Sequence, residues 1–296
     1  MNHRSIALTL ALSTIALAAC RSEPKDDTPP MPERTVTQAE IDALIKRSKA
    51  QMVFVEGGTF MMGDYKNEDG LYMTPYRDNK PPTEVTLDSY SIGAYEISYG
   101  EYDLYTDFNN LPRTNWKVRS VGAEWRGPDY PAGVSWHGAK NYCLWLAKQT
   151  GLPFDLPTEA QWEYAARSRG QKVLYATNDG TIRRGENFSE FTRNPRPSGT
   201  FPPNPLGLYD MAGNMEDWVN DWFAKDYYQW GDSINPQGPE SGTHKVLRGG
   251  TFLESPSASN VFHRYESEKL NTDYRSTGFR CAVNQPTPID RRMGSL

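Results

Sequence analysis

Positive charge is in the minority and nowhere gathered. Lysine and arginine number 32 against 37 aspartate and glutamate, a formal net charge of −5. With no basic run or stripe, the chain offers a phosphate backbone nothing to grip, which argues against nucleic acid as a partner. Long apolar runs are missing too. The one apolar stretch, 6–16, follows Arg4 at the N-terminus and is too short to span a bilayer. No internal repeat and no second domain are visible. Histidine and cysteine are scarce, at four and three residues. His137 opens a predicted helix and His244 sits in a Gly/Pro-rich loop, so a shared metal site with His263 is not expected.

Glycine, proline and aromatics are abundant by contrast, at 24 Gly, 22 Pro, 8 Trp, 17 Tyr and 11 Phe in 296 residues. That length buries one large core or two modest ones. Gly and Pro punctuate regular elements, so a loop-heavy α+β domain is expected.

The N-terminal segment reads as a targeting signal over 1–19. Leu17-Ala18-Ala19-Cys20 resembles the bacterial lipobox, in which the cysteine is acylated and becomes the mature first residue. A plain secretory signal that contains a cysteine is the alternative. Under the lipobox reading Cys20 is the lipidation site and the membrane is reached through a lipid anchor. Arg21 after it follows the sorting pattern for an outer membrane. The polar, Pro-rich stretch to residue 36 is a solvated tether. Thr37-Gln38-Ala39-Glu40 has capping-box spacing before Ile41, Leu44 and Ile45, which predicts a short helix over 38–50. The main domain runs from 51 to 286, and 287–296 is a C-terminal tail.

Within the domain, MVFVEGGTFMMGD predicts a strand, a Gly-Gly turn and a second strand. A strand through Val85 and Leu87 precedes a helix from about Ser98. HGAKNYCLWLAKQTG predicts a helix closed by Gly151, and LPTEAQWEYAARSRG one capped by Thr158 with Gln161 at capping-box spacing. The chain is organised around GLYDMAGNMEDWVNDW, 207–222. Its pattern predicts a Gly-punctuated loop entering an amphipathic helix, with Trp218 and Trp222 on one face and the acids in water. Asp210, Glu216, Asp217, Asp221 and the asparagines are equally a supply of the hard oxygen donors that calcium prefers.

The blocks EGGTFMMG, LPTEAQWEYAAR, GLYDMAGNMEDW, LRGGTF and GFRCA, in this order, resemble the formylglycine-generating-enzyme (sulfatase-modifying factor) domain family. The resemblance covers about 51–284. It implies an α+β, C-type-lectin-like single domain with little regular secondary structure. It also implies a disulfide between Cys143 and Cys281. A structural calcium ion is implied on the Asp210 and Asp217 side chains and the Gly213 and Met215 carbonyls. The family's second calcium site, in the loop after Asn187, lacks its matching acid here, so one ion is expected.

The reactive centre departs from the family. Formylglycine-generating members hold copper on two cysteines just after RGG(S/T). Here that stretch is Arg248 to Pro256, with Glu254 at the first cysteine's place and no thiol nearby. Soft thiolates suit Cu(I), and Glu and Ser do not replace them, so no copper is expected. The resemblance leaves Thr251, Glu254, His263 and Arg264 as candidate pocket residues. His263 is either a histidine at the surface or supporting a neighbour just behind it, or a general base in a repurposed pocket with Glu254. Members without the cysteines include proteins that mature a siderophore chromophore and envelope lipoproteins that serve as structural parts. The expectation is a periplasm-facing or surface pseudoenzyme that binds or scaffolds an envelope protein. The alternative is a maturation enzyme acting on a periplasmic peptide-like or siderophore-like ligand.

Overall fold

The computed structural model describes residues 35–114, 123–189, 194–268 and 270–290. The targeting signal, Cys20 and the tether as far as residue 34 lie outside the described residues, as do 291–296 of the tail.

Chain order explains the layout. Helix α1 (Gln38–Ala50) carries the capping box at Thr37 and Glu40. Ile41, Leu44 and Ile45 on its inner face are buried among the aromatics of α2 (Tyr99–Phe108) and α3 (Trp136–Thr150). Ser98 caps α2, Ser135 caps α3, and Gly151 ends α3 in the left-handed region at φ 68°. Tyr102, Tyr105, Tyr142, Trp145 and Phe279 contact one another with centroids 5.2–6.1 Å apart, edge-on or tilted except for the stacked Tyr102–Tyr142 pair. The Cys143–Cys281 disulfide closes this layer, joining α3 to the far end of the chain across 138 residues. Such a link restrains the unfolded chain more than the folded one.

Two short strands, β1 (Met52–Val55) and β2 (Gly58–Met62), flank the Gly-Gly turn, but they enter different sheets. β1 pairs with β4 (Tyr90–Gly93), which pairs with β10 (Ala282–Val283), and that with β5 (Phe154–Asp155). β2 pairs with β3 (Thr83–Leu87) alone. The third sheet runs β8 (Tyr265–Ser267), β7 (Lys245–Arg248), β6 (Glu216–Trp222), β9 (Thr277–Gly278). A one-turn helix, α5 (Tyr227–Trp230), follows β6.

β6 corrects the helix expected at the end of the central stretch. Its flanks, β7 antiparallel and β9 parallel, supply a hydrogen-bonding partner on each side. Glu216, Asp217, Trp218, Val219 and Asp221 are all buried. An amphipathic helix would have left one face wet, and this segment has none to leave. The acids expected in water are therefore inside.

Helix α4 (Glu159–Ala166), capped by Thr158 and Gln161, shows how the interior tolerates charge. Glu159, Glu163 and Arg167 recur every fourth residue, so they lie along one stripe of the helix. The Glu163 carboxylate accepts from Arg167 Nη1 at 2.8 Å and from Arg248 Nη2 at 2.6 Å. Glu159 accepts from Arg264 Nε at 2.6 Å and Nη2 at 2.9 Å, and from Arg248 Nη1 at 3.2 Å. All five side chains are essentially inaccessible. Buried charge is tolerated only when paired and hydrogen-bonded, and this network meets both conditions. The capped helix expected here is thus also an ionic pin through the domain.

Candidate functional site

After β7 the chain turns through Gly249 and Gly250, at φ 99° and 74°. A Cβ on Gly250 would lie 2.7 Å from Ser259 Oγ and 2.9 Å from its Cα, so only glycine lets the two segments close. The loop 251–255 follows, then a 3-10 turn, Pro256–Ser259, and the chain returns along β8 with Tyr265 opposite Leu247. Thr251 and Glu254 fasten their own loop: Leu253 N donates to Thr251 Oγ1 at 3.0 Å, and Thr251 N to Glu254 Oε2 at 3.3 Å. Tyr265 Oη reaches back from β8 and donates to the same Oε2 at 2.7 Å. Burial, followed by this carboxylate, pushes the Tyr265 phenol far above its ordinary range.

His263 lies flat between two rings. Its centroid is 4.0 Å from that of Tyr76, nearly parallel, and 3.8 Å from that of Tyr265. Nδ1 is 3.1 Å from the Ala258 carbonyl, which can only accept, so Nδ1 carries the proton and Nε2 keeps its lone pair. Burial lowers its pKa, which favours this neutral form. His263 is thus half-buried, and it packs on the Tyr265 ring whose hydroxyl holds Glu254.

Arg264 does not belong to this group. Its guanidinium turns the other way, onto Glu159 and onto the carbonyls of Asp78 and Ala224. A residue bonded at every nitrogen inside the core has nothing left for a ligand, so it is not a pocket residue. The crevice lined by Thr251 and Glu254 is also smaller than the resemblance suggests, at about 10 Å³. That is room for a water at most.

The space is next door. A cavity of about 490 Å³ opens on the other side of Tyr265, over β6, β7 and β8. Glu216 lines it and was read from the sequence only as one acid among several. It is 7% exposed, and burial, then the nearby Glu254 charge, pushes its carboxyl up to about 8. Strand alternation would have found it: Glu216 shares a side with Trp218 and opposes Asp217.

The calcium candidates lie on the opposite side of β6. Asp210, at φ 56°, and Gly213, at φ 84°, bend the loop that leads into the strand, and a Cβ on Gly213 would strike Phe188 at 2.7 Å. Asp210 Oδ2 accepts from Gly199 N at 2.7 Å. Asp217 Oδ2 accepts from Trp162 Nε1 at 2.8 Å and Arg280 Nε at 2.7 Å, while Oδ1 is buried without a partner. Glu96, also buried, holds the loop through Met215 N and Asn214 Nδ2. Its carboxyl is pushed well up by burial and then by the Asp210 and Asp217 charges. Among the described residues no three acidic, imidazole or thiol side chains are grouped to hold an ion by themselves. Any ion here must lean on carbonyl oxygens, as the Gly213 and Met215 assignment requires. At the other family site, Asn187 spends its amide on Asn178, Asp179 and the Thr181 carbonyl, and accepts from Arg183 N. That side chain is committed to the protein itself.

Comparison with known proteins agrees with the architecture. Residues 37–285 match the sulfatase-modifying factor enzyme 1-like domain. The serine/threonine-protein kinase pkn1 of Chlamydia caviae is 32% identical over 78% of this chain, which spans only 38% of that protein's length. The formylglycine-generating enzyme of Thermomonospora curvata is 30% identical, with 79% of this chain and 93% of that one covered. A mouse relative named inactive C-alpha-formylglycine-generating enzyme 2 is 27% identical over 80% of this chain and 87% of its own. Among solved structures, PvdO of Pseudomonas aeruginosa superposes with a TM-score of 0.64 at 26% identity, covering 78% of this chain and 93% of that one.

Proposed function

This chain belongs to the sulfatase-modifying factor enzyme 1-like domain family, and from that premise we propose that it is a lipid-anchored cell-envelope binding or scaffold module that has given up formylglycine chemistry. The observation that carries the reading is Glu254. It stands at the place of the first copper-binding cysteine, fixed by Tyr265 and its own loop. The two cysteines of the described domain are consumed by the Cys143–Cys281 disulfide. Acylation of Cys20 would tie the N-terminus to the membrane and leave the tether to give the domain reach. That arrangement suits an outer-membrane lipoprotein facing the periplasm or the surface.

Its partner is then an envelope protein or a periplasmic peptide-like ligand. A photoreactive residue in place of the exposed Ser257, three positions from Glu254, tests this in intact cells. We expect discrete crosslinked products that weaken in the Glu254→Ala background and are absent when the probe replaces Leu144 on the outer face of α3. Identical products from both positions, or none from Ser257, would sink the reading.

A second reading is an enzyme that matures a peptide or siderophore-like substrate. What favours it is His263, its neutral form favoured by burial and its Nδ1 held by the Ala258 carbonyl so that Nε2 keeps its lone pair, which is the equipment of a general base.

Calcium is proposed as a structural ion on the Asp210 and Asp217 carboxylates and the Gly213 and Met215 carbonyls. The fit rests on the unpartnered Asp217 Oδ1 and on three carboxylates crowded around one guanidinium, Arg280. A hard divalent cation suits an all-oxygen set with water filling the remaining positions.

A further inference from the structure

We propose that the cavity over β6, β7 and β8 is a binding site for an organic cation, a guanidinium or alkylammonium group, with Glu216 as its anionic anchor. The proposal rests on the binding-module reading and supplies the chemistry of its ligand.

The cavity, about 490 Å³, is large enough for an arginine or lysine side chain with its neighbours. Glu216, Glu266 and Glu268 line it, and no lysine or arginine does among the described residues. Among the described residues His244 is the one basic group at its wall, 4.0 Å from Glu268 Oε2. Trp218, Tyr265 and Tyr274 also line it, side chains of the type on which cations settle.

An acidic wall alone would show little, because surface carboxylates are content in water. Glu216 is different. Its neighbours leave it 7% exposed, and while its backbone N–H donates to the Ser276 carbonyl at 3.0 Å, its carboxylate has no hydrogen-bond or ion-pair partner among the described residues. Every other carboxylate buried in this domain for which bonds are described is used: Glu159 and Glu163 hold arginines, Glu96 holds backbone and amide, and Asp221 accepts from Glu159 N. Strand geometry places Glu216 on the same side as Trp218, the side facing the cavity. A carboxyl taken from water without a partner costs the fold stability, so its place is explained by a group that arrives from outside. Among the described residues no three acidic, imidazole or thiol side chains are grouped there to hold a metal ion.

The test uses the full chain, purified in detergent with saturating calcium, and isothermal titration. Nα-acetyl-arginine amide and Nα-acetyl-lysine amide represent a basic side chain of a peptide. Agmatine and putrescine represent free amines, and Nα-acetyl-citrulline amide is the neutral isostere. We expect saturable binding of the cations, at least about tenfold tighter than citrulline. Tighter binding of the amides points to a peptide, tighter binding of the amines to a small molecule, and both support the site. Glu216→Gln should weaken the best cation at least about tenfold without lowering the melting temperature, because no contact within the fold is lost. Tyr274→Ala, at a ring 46% exposed, should weaken it without unfolding the domain. Citrulline binding as well as arginine, or undiminished binding by Glu216→Gln, would overturn the proposal. If that happens while Ser257 still crosslinks to a partner, only the cation site falls and the binding module stands.

Discussion

Replacing Glu159 with alanine is expected to cost the folded domain about 3–5 kcal/mol, because it strips one carboxylate from two buried arginines. Arg264 would keep only the carbonyls of Asp78 and Ala224, and Arg248 only Glu163 and the Val261 carbonyl. Neither guanidinium can lose its proton, so both charges would stay in the interior. The pH dependence follows from the same contacts. Burial alone would raise the Glu159 carboxyl, but Arg264 and Arg248 outweigh it and hold the pKa below its ordinary value. A depressed acid contributes stability that is fully present above its unfolded pKa and is lost as pH falls through the folded one. The wild-type midpoint should therefore drop steeply below about pH 4, near the ordinary glutamate value. The Glu159→Ala protein should already be weak at neutrality and lose less on acidification. Denaturant unfolding of both proteins across that range decides it. A variant within 1 kcal/mol of wild type would show that the network contributes little (~1 kcal/mol being the typical point-mutant effect).

Removing calcium is expected to have the second largest effect. An ion bound at a hundred times its dissociation constant stabilises the native state by about 2.7 kcal/mol. For a domain of this size that corresponds to about 2–4 °C in melting temperature per kcal/mol. Chelation should lower the transition accordingly, and calcium, not magnesium, should restore it, since magnesium demands a tighter octahedron. Asp210→Asn is the informative variant, because Asp217 also holds Trp162 and Arg280. It should abolish the calcium-dependent shift. A transition unmoved by chelator, together with no heat on titration with calcium, would remove the ion from the account.

What could be read from the sequence was whatever is written locally. Thr37, Ser98 and Thr158 announce helix starts because a cap is a contact between residues three apart, and Gly151 announces an end because few residues tolerate its backbone angle. The disulfide and the fold came through resemblance, since nothing local ties Cys143 to Cys281 across 138 residues. β6 was misread because Trp218 and Trp222 are four apart, a spacing that suits a helix as well as a strand. Only the long-range pairing with β7 and β9 decides between them. Arg264 was misplaced for a related reason. It sits next in sequence to His263, but successive residues point to opposite sides, and it meets Glu159 instead. Glu216 was legible as an acid and not as a buried one.

Glu254 shows the same divide between local and distant information. Its chemistry was visible and its company was not: Tyr265 comes from the returning strand, and the aromatic stack on His263 is completed by Tyr76 from a loop far back in the chain. Together they make a closed, carboxylate-bearing corner with a roomy acidic cavity beside it.

The measurement that bears most directly on this is an assay for formylglycine. The full chain is incubated with Cu(I), dioxygen and a cysteine-bearing sulfatase peptide, and the peptide is followed by mass and by hydrazide capture of aldehyde. With Glu254 at the thiol's place, the peptide should keep its sulfur and form no aldehyde, while the Thermomonospora curvata enzyme converts it in parallel. Turnover by this chain, dependent on copper and retained after Cys20→Ala, would contradict the account.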